Sequence, residues 1–196
     1  MRILKGIIFS AIVLAGISSF SAELTQADLG FVAQTTMFNI EKSNNLDWKV
    51  GDTLNFDLII KPLPLVASAV LAVTQIDKVG TTLVETISYK KLKEVIETVI
   101  DTNTGKIVST KINGKPAKVP AGGGGETKII NEEEGHIKVK AGEFDCIHVV
   151  TEGAEGNQSE MWINPAEIPI NGLIKSSSVA GIATIQMELT SFVHGK

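Results

Sequence analysis

The chain has 196 residues, with 18 Lys and Arg against 22 Asp and Glu, for a net charge of −4. An acidic balance without a basic cluster is a poor match for phosphate backbones or anionic head groups, so no nucleic acid partner is expected. The single cysteine, Cys146, excludes an internal disulfide, and a chain of this size with 43% hydrophobic residues can rely on one core instead.

The chain opens on a charged start, Met1-Arg2-Ile3-Leu4-Lys5, followed by an apolar run from Gly6 to Gly16. That is the layout of a signal peptide, and it is too short to span a bilayer. Small Ser19 precedes a cut after Ser21, so residues 1–21 read as a cleaved signal and residues 22–196 as a single β domain. Leu14-Ala15-Gly16 resembles the start of a lipoprotein signal, but Ile17 stands where the acylated cysteine is required. The expected location is therefore periplasmic or secreted, with no transmembrane span in the mature form. Losing Arg2 and Lys5 leaves 16 basic against 22 acidic residues, a net charge of −6.

A short helix is expected at Gln26–Phe38, capped by Thr25 or Asp28, with an extended N-terminal strand as the alternative. From Trp48 onward the period is two. Leu54, Phe56, Leu58 and Ile60 alternate with Thr53, Asn55, Asp57 and Ile59, which predicts a half-buried strand entered through Gly51-Asp52. Val66–Ile76 is apolar or small on both faces, which suits a strand that is central or borders a cavity. Thr81–Tyr89 is the next strand, and Glu94–Asp101 with Lys106–Asn113 forms a hairpin around Thr102-Asn103-Thr104-Gly105. A loop from Gly114-Lys115-Pro116 to the glycine run 122–125 follows.

Further strands are predicted at Thr127–Glu132, His136–Lys140, Phe144–Thr151, Ser159–Ile163, Leu173–Ser178 and Ile182–Val193. In the last of these, Ala183, Ile185, Met187, Leu189 and Val193 point inward. About ten short strands without interleaved helices predict an antiparallel meander.

Little in the sequence carries chemistry. Cys146 and His148 share a strand face, as a nucleophile and base would, yet they line up with Phe144 and Val150 as a core-facing row. Glu132-Glu133-Glu134 before His136 reads as a solvated turn, because consecutive acids on extended chain point to opposite faces. The glycine run lacks the Gly-Lys-Ser/Thr that opens a phosphate-binding helix. No catalytic residue, metal site or cofactor is expected, and an enzyme is the least supported reading.

Val139-Lys140-Ala141-Gly142-Glu143-Phe144-Asp145-Cys146 is the most distinctive segment. Gly142 permits a tight turn or bulge, and Phe144 re-enters the core to pin it. Downstream come Trp162-Ile163-Asn164-Pro165 and Gly172-Leu173-Ile174-Lys175. An Ala-Gly-x-Phe-Asp-Cys turn, a strand ending Trp-x-x-Pro and a Gly-Leu-hydrophobic-Lys strand together resemble an uncharacterised family of exported bacterial β proteins. That family is similar in architecture to the LolA and LolB lipoprotein carriers. Its motif residues here, Gly142, Phe144, Cys146, Trp162 and Pro165, read as structural, and Lys140 stands where proline is frequent.

The resemblance implies a single curved antiparallel sheet, a half-barrel with an apolar concave face, and so a non-enzymatic periplasmic binding module for a lipid or other apolar ligand. Val66, Ser68, Ala69, Val70 and Val73 form its expected low-bulk wall. The alternative is a structural or interaction protein of a cell-envelope complex, with a protein partner and no small ligand.

Overall fold

Period-two alternation places every second side chain on the same face, and the chain uses this to build one sheet. A computed structural model describes residues 47–61, 65–117, 128–153, 156, 158–180 and 183–196. The strands are β1 Thr53–Lys61, β2 Leu65–Ile76, β3 Thr81–Tyr89, β4 Leu92–Ile100, β5 Ile107–Ile112, β6 Lys115–Ala117, β7 Lys128–Val139, β8 Gly142–Glu152, β9 Gln158–Ile163, β10 Leu173–Ala180 and β11 Ala183–Val193. They form a single antiparallel sheet in the order β6-β5-β4-β3-β2-β1-β11-β10-β9-β8-β7. The sheet is open and curved, with β6 and β7 at its edges. It consists of two meanders, β1–β6 and β7–β11, joined where β1 pairs with β11.

No helix occurs among the described residues. The helix expected at Gln26–Phe38, the signal segment 1–21 and the glycine run 122–125 all lie outside them.

The alternation is strictest in β1, β3 and β4, where buried and part-buried residues take turns along each strand. Leu54, Phe56, Leu58 and Ile60 are all but sealed from solvent, as are Ile87, Ile96 and Ile100. Each such side chain contributes about 1.5–3 kcal/mol relative to leaving it in water.

The register shifts at Asn55/Phe56, Val73/Gln75, Val99/Ile100, Ile129/Asn131 and Leu173/Lys175. Unpaired residues of this kind sharpen strand twist and bend a sheet toward closure. The shift in β11 also corrects one expected side-chain direction. Asn55 faces Ser191 and Phe56 faces Leu189, so Thr190 is the extra residue. Phe192 thereby comes opposite Leu54, and Val193, expected to point inward, is exposed.

Two other sequence expectations are corrected. Glu132-Glu133-Glu134 is not a turn but the middle of one continuous β7, because β8 supplies partners along its length from Glu152 to Gly142. The segment after Asn113 is not wholly loop. Asn113 and Gly114 both take positive φ, 50° and 76°, the pair a two-residue hairpin needs, and Lys115–Ala117 returns to pair with β5.

Candidate functional site

The inner face of β1–β4 can be followed row by row across the strands. One row runs Leu189, Phe56, Ala69, Ile87, Glu94; its neighbour runs Phe192, Leu54, Leu71, Glu85, Ile96, Ile112. In β2 the smallest members, Ala67 and Ala69, lie opposite Leu58 and Phe56. Both alanines are buried, as are Leu71 and Val73.

The five residues expected to line a ligand wall are therefore divided between faces. Ala69 and Val73 share the inner face. Val66 and Ser68 are exposed on the other, and Val70 is half-buried beside them. No one face of the sheet carries all five.

Polar groups also reach this inner face. Glu85 and Glu94 are both buried, and Glu94 Oε2 accepts a hydrogen bond from Asn113 Nδ2 at 2.9 Å. Asn113 is itself held to β4: its backbone N–H donates to the Val95 carbonyl at 2.8 Å, and its Oδ1 accepts from Val95 N at 3.0 Å. Thr98 and Thr110 complete a polar rim toward β5. The two glutamates were missed as inner-face residues, although period two from Leu83 and from Ile96 leads straight to them.

The opposite face carries a ladder of half-buried polar and aromatic side chains. Cross-strand pairing sets Glu133, His148, Trp162, Lys175, Glu188 and Asp57 in one row from β7 to β1. His148 stacks on Trp162 with ring centroids 4.5 Å apart and planes 7° from parallel. Its Nδ1 lies 3.2 Å from Glu133 Oε1, while the buried Nε2 faces Glu160 Oε2 at 3.4 Å without an aligned hydrogen bond. Lys175 Nζ sits 5.6 Å from the Trp162 ring centre and 3.9 Å from Glu188 Oε2. Among the described residues, no three His, Cys, Asp or Glu side chains gather into a metal site.

β8 pairs with β9 only over Ile147–Glu152, so the β7–β8 hairpin continues past it as an arm. Gly142 begins β8 after the Lys140-Ala141 turn with φ of 149°, and a Cβ there would lie 3.3 Å from Phe144 Cζ. Phe144 and Cys146 are buried. The row then changes: His148 and Val150 are part-buried, while Val149 and Thr151 take the buried positions. Burial pushes the Cys146 thiol pKa up, and the neighbouring Asp145 carboxylate adds to it. The tip of the arm comes back to the middle of the sheet. Ala141 N donates to the Leu189 carbonyl at 3.2 Å, Phe144 packs on Phe192, and Lys140 Nζ bonds the Asp57 carboxylate. That carboxylate raises the Lys140 pKa.

The Trp-x-x-Pro and Gly-Leu segments meet in the turn between β9 and β10. Asn164 N donates to the Gly172 carbonyl at 2.8 Å, and Asn164 Oδ1 accepts from Ala166 and Glu167, both at 3.1 Å. Gly172, with φ of 74°, runs so close to Pro165 that a Cβ would lie 2.6 Å from its backbone nitrogen. Exposed Pro165 thus belongs to a backbone crossing, whereas half-buried Trp162 lies in the ladder with His148 and Lys175. Trp48 closes this turn from outside: buried itself, it donates Nε1 to the Ile170 carbonyl at 2.5 Å.

The sequence matches no family model and no curated protein. Among solved structures it is similar to the crystal structure of a putative lipoprotein from Parabacteroides distasonis ATCC 8503. The identity is 10%, the TM-score is 0.45, and the match covers 78% of this chain and 100% of that one.

Proposed function

We propose that this chain is a non-catalytic binding module of the bacterial cell envelope, exported through its N-terminal segment, that holds an acyl chain or similar apolar ligand against the inner face of its open sheet. The observation that carries this reading is the pair Ala67 and Ala69, small side chains at the centre of an otherwise bulky apolar face. Sites for small apolar ligands pair apolar walls with a few polar groups that fix orientation. Glu85, Glu94 and Thr98 offer such groups at one side of the same face. The motif resemblance to exported β proteins of LolA and LolB architecture supports the same reading.

The test is saturable binding of a fluorescent fatty acid. Wild type should bind, and Ala69→Phe should lose binding while keeping its circular dichroism spectrum. Ser68→Phe, on the opposite face, should leave binding intact. Should Ala69→Phe fail to fold, Ala69→Val provides the smaller step and should weaken binding. Absence of saturable binding by wild type to any apolar probe would sink the proposal.

A further inference from the structure

The two edges of the open sheet are built differently. β6 is three residues long and contains Pro116, which has no N–H to offer, next to Lys115. Such edges resist added strands. β7 is twelve residues long without proline, and Lys128–His136 is exposed along its whole length. Among the described residues nothing pairs with its outer side. Ile129 and Ile130 are exposed there too, at 48% and 40%. A strand of this kind presents a row of unpaired backbone N–H and C=O groups, the template on which an extended peptide adds to a sheet.

We infer that Lys128–His136 of β7 accepts an extended, lysine- or arginine-rich segment of a partner protein as a further strand of the sheet. This goes beyond the proposed apolar ligand and does not depend on it. The backbone edge supplies the pairing, and the side chains select the partner. Glu132 and Glu134 point to one face and Glu133 to the other, so a basic strand meets a carboxylate on either side. Ile129 and Ile130 add apolar contact at one end.

A second copy of this chain fits less well. Antiparallel self-pairing about Gly135 would set Glu132 opposite Lys138 and Glu134 opposite His136. That register needs the tip of the hairpin, where Val139 is buried, Ala141 N is bonded to Leu189 and Lys140 to Asp57. Registers centred on the glutamates set like charges opposite each other, which is unfavourable. Pairing about Ile130 sets Lys128 opposite Glu132 but offers no lysine to Glu133 or Glu134, so a partner strand bearing several cations matches more of this edge.

The experiment uses the isotope-labelled full chain and a short synthetic peptide alternating lysine with threonine and valine. Two further peptides serve as controls: one with glutamate for lysine, and one with the lysine sequence N-methylated at alternate residues. The lysine peptide should bind saturably and slow amide exchange at alternate positions within Ile129–Gly135 by at least about tenfold. The glutamate and N-methylated peptides should not, and the pair Glu132→Lys with Glu134→Lys should abolish the protection. Equal binding by the N-methylated peptide would show charge attraction without strand pairing and overturn the inference. So would a lysine peptide that leaves the β7 amides unprotected. Protection that grows with protein concentration in the absence of peptide would make a second copy the occupant, which also overturns it.

Discussion

The sheet holds its two ends by different means. In β1–β4, one face is largely apolar, with Glu85, Glu94 and Thr98 set among aliphatic and aromatic side chains, and it is almost fully removed from water. In the β7–β8 hairpin, most of β7 is exposed on both faces, and its side-chain pairings are polar: Lys138 with Glu143 as an ion pair, His136 with Asp145, and Glu133 with His148. Exposed ion pairs of that sort contribute little, whereas each buried aliphatic or aromatic side chain contributes a few kcal/mol. Regular strand geometry thus says little about how firmly a strand is held; what its faces exclude from water says more. The hairpin is held by the β8–β9 ladder over Ile147–Glu152 and again at its tip, through Phe144, Val139 and the Ala141–Leu189 hydrogen bond.

The sharpest way to break this contrast is to cut into the first region. Phe56→Ala, at the centre of β1 between Ala69 and Leu189, should cost about 3–5 kcal/mol in chemical denaturation. A cost near that of a surface substitution would mean that the inner face does not anchor the fold.

A smaller effect is expected at the arm. Gly142→Val places a Cβ against Phe144 at a φ that side chains rarely adopt, and should destabilise by at least about 1 kcal/mol. Amide exchange should accelerate in β7 and β8 more than in β1–β4. Uniform acceleration across the sheet would show that the arm and the scaffold open together.

The least perturbing probe is the native thiol. Cys146 should react slowly with thiol reagents at neutral pH, because it is buried and its pKa is raised. Cys146→Ala should cost about 1–2 kcal/mol. The unfolded thiol ionises before the native one, so this group's contribution to stability is complete below the ordinary thiol pKa and declines as pH rises through and above it. Rapid labelling of the native chain at neutral pH would show that the arm is open.

Much of the first region could be read from residue order alone. Leu54, Phe56, Leu58 and Ile60 alternate with polar partners, and period two is enough to assign their face. Glu85 and Glu94 follow the same period, although a carboxylate is not a residue type that marks an inner face. The arm was harder to read. Three consecutive glutamates have the composition of a turn, and only the uninterrupted partner strand, β8, holds them extended. The direction of Phe192 depended on the extra residue Thr190, a shift in register that no local pattern announces. Val66–Val73 was legible as a low-bulk strand, but its apolar residues on both faces concealed which ones share a side.

The pairing of β1 with β11 has a consequence for the order in which the molecule can assemble. Each meander is made of neighbours in sequence, so either can form from local contacts at small loop-closure cost. The seam between them joins the two strands furthest apart in the described chain, with Asn55 Nδ2 donating to Ser191 Oγ and Asp52 Oδ1 accepting from Gly195 N across it. Until residues 183–193 are available, a growing chain can hold two unjoined half-sheets, each with an exposed central edge. β11 thus acts as the keystone of the sheet, and the slow, long-range step of folding waits until that strand has been made.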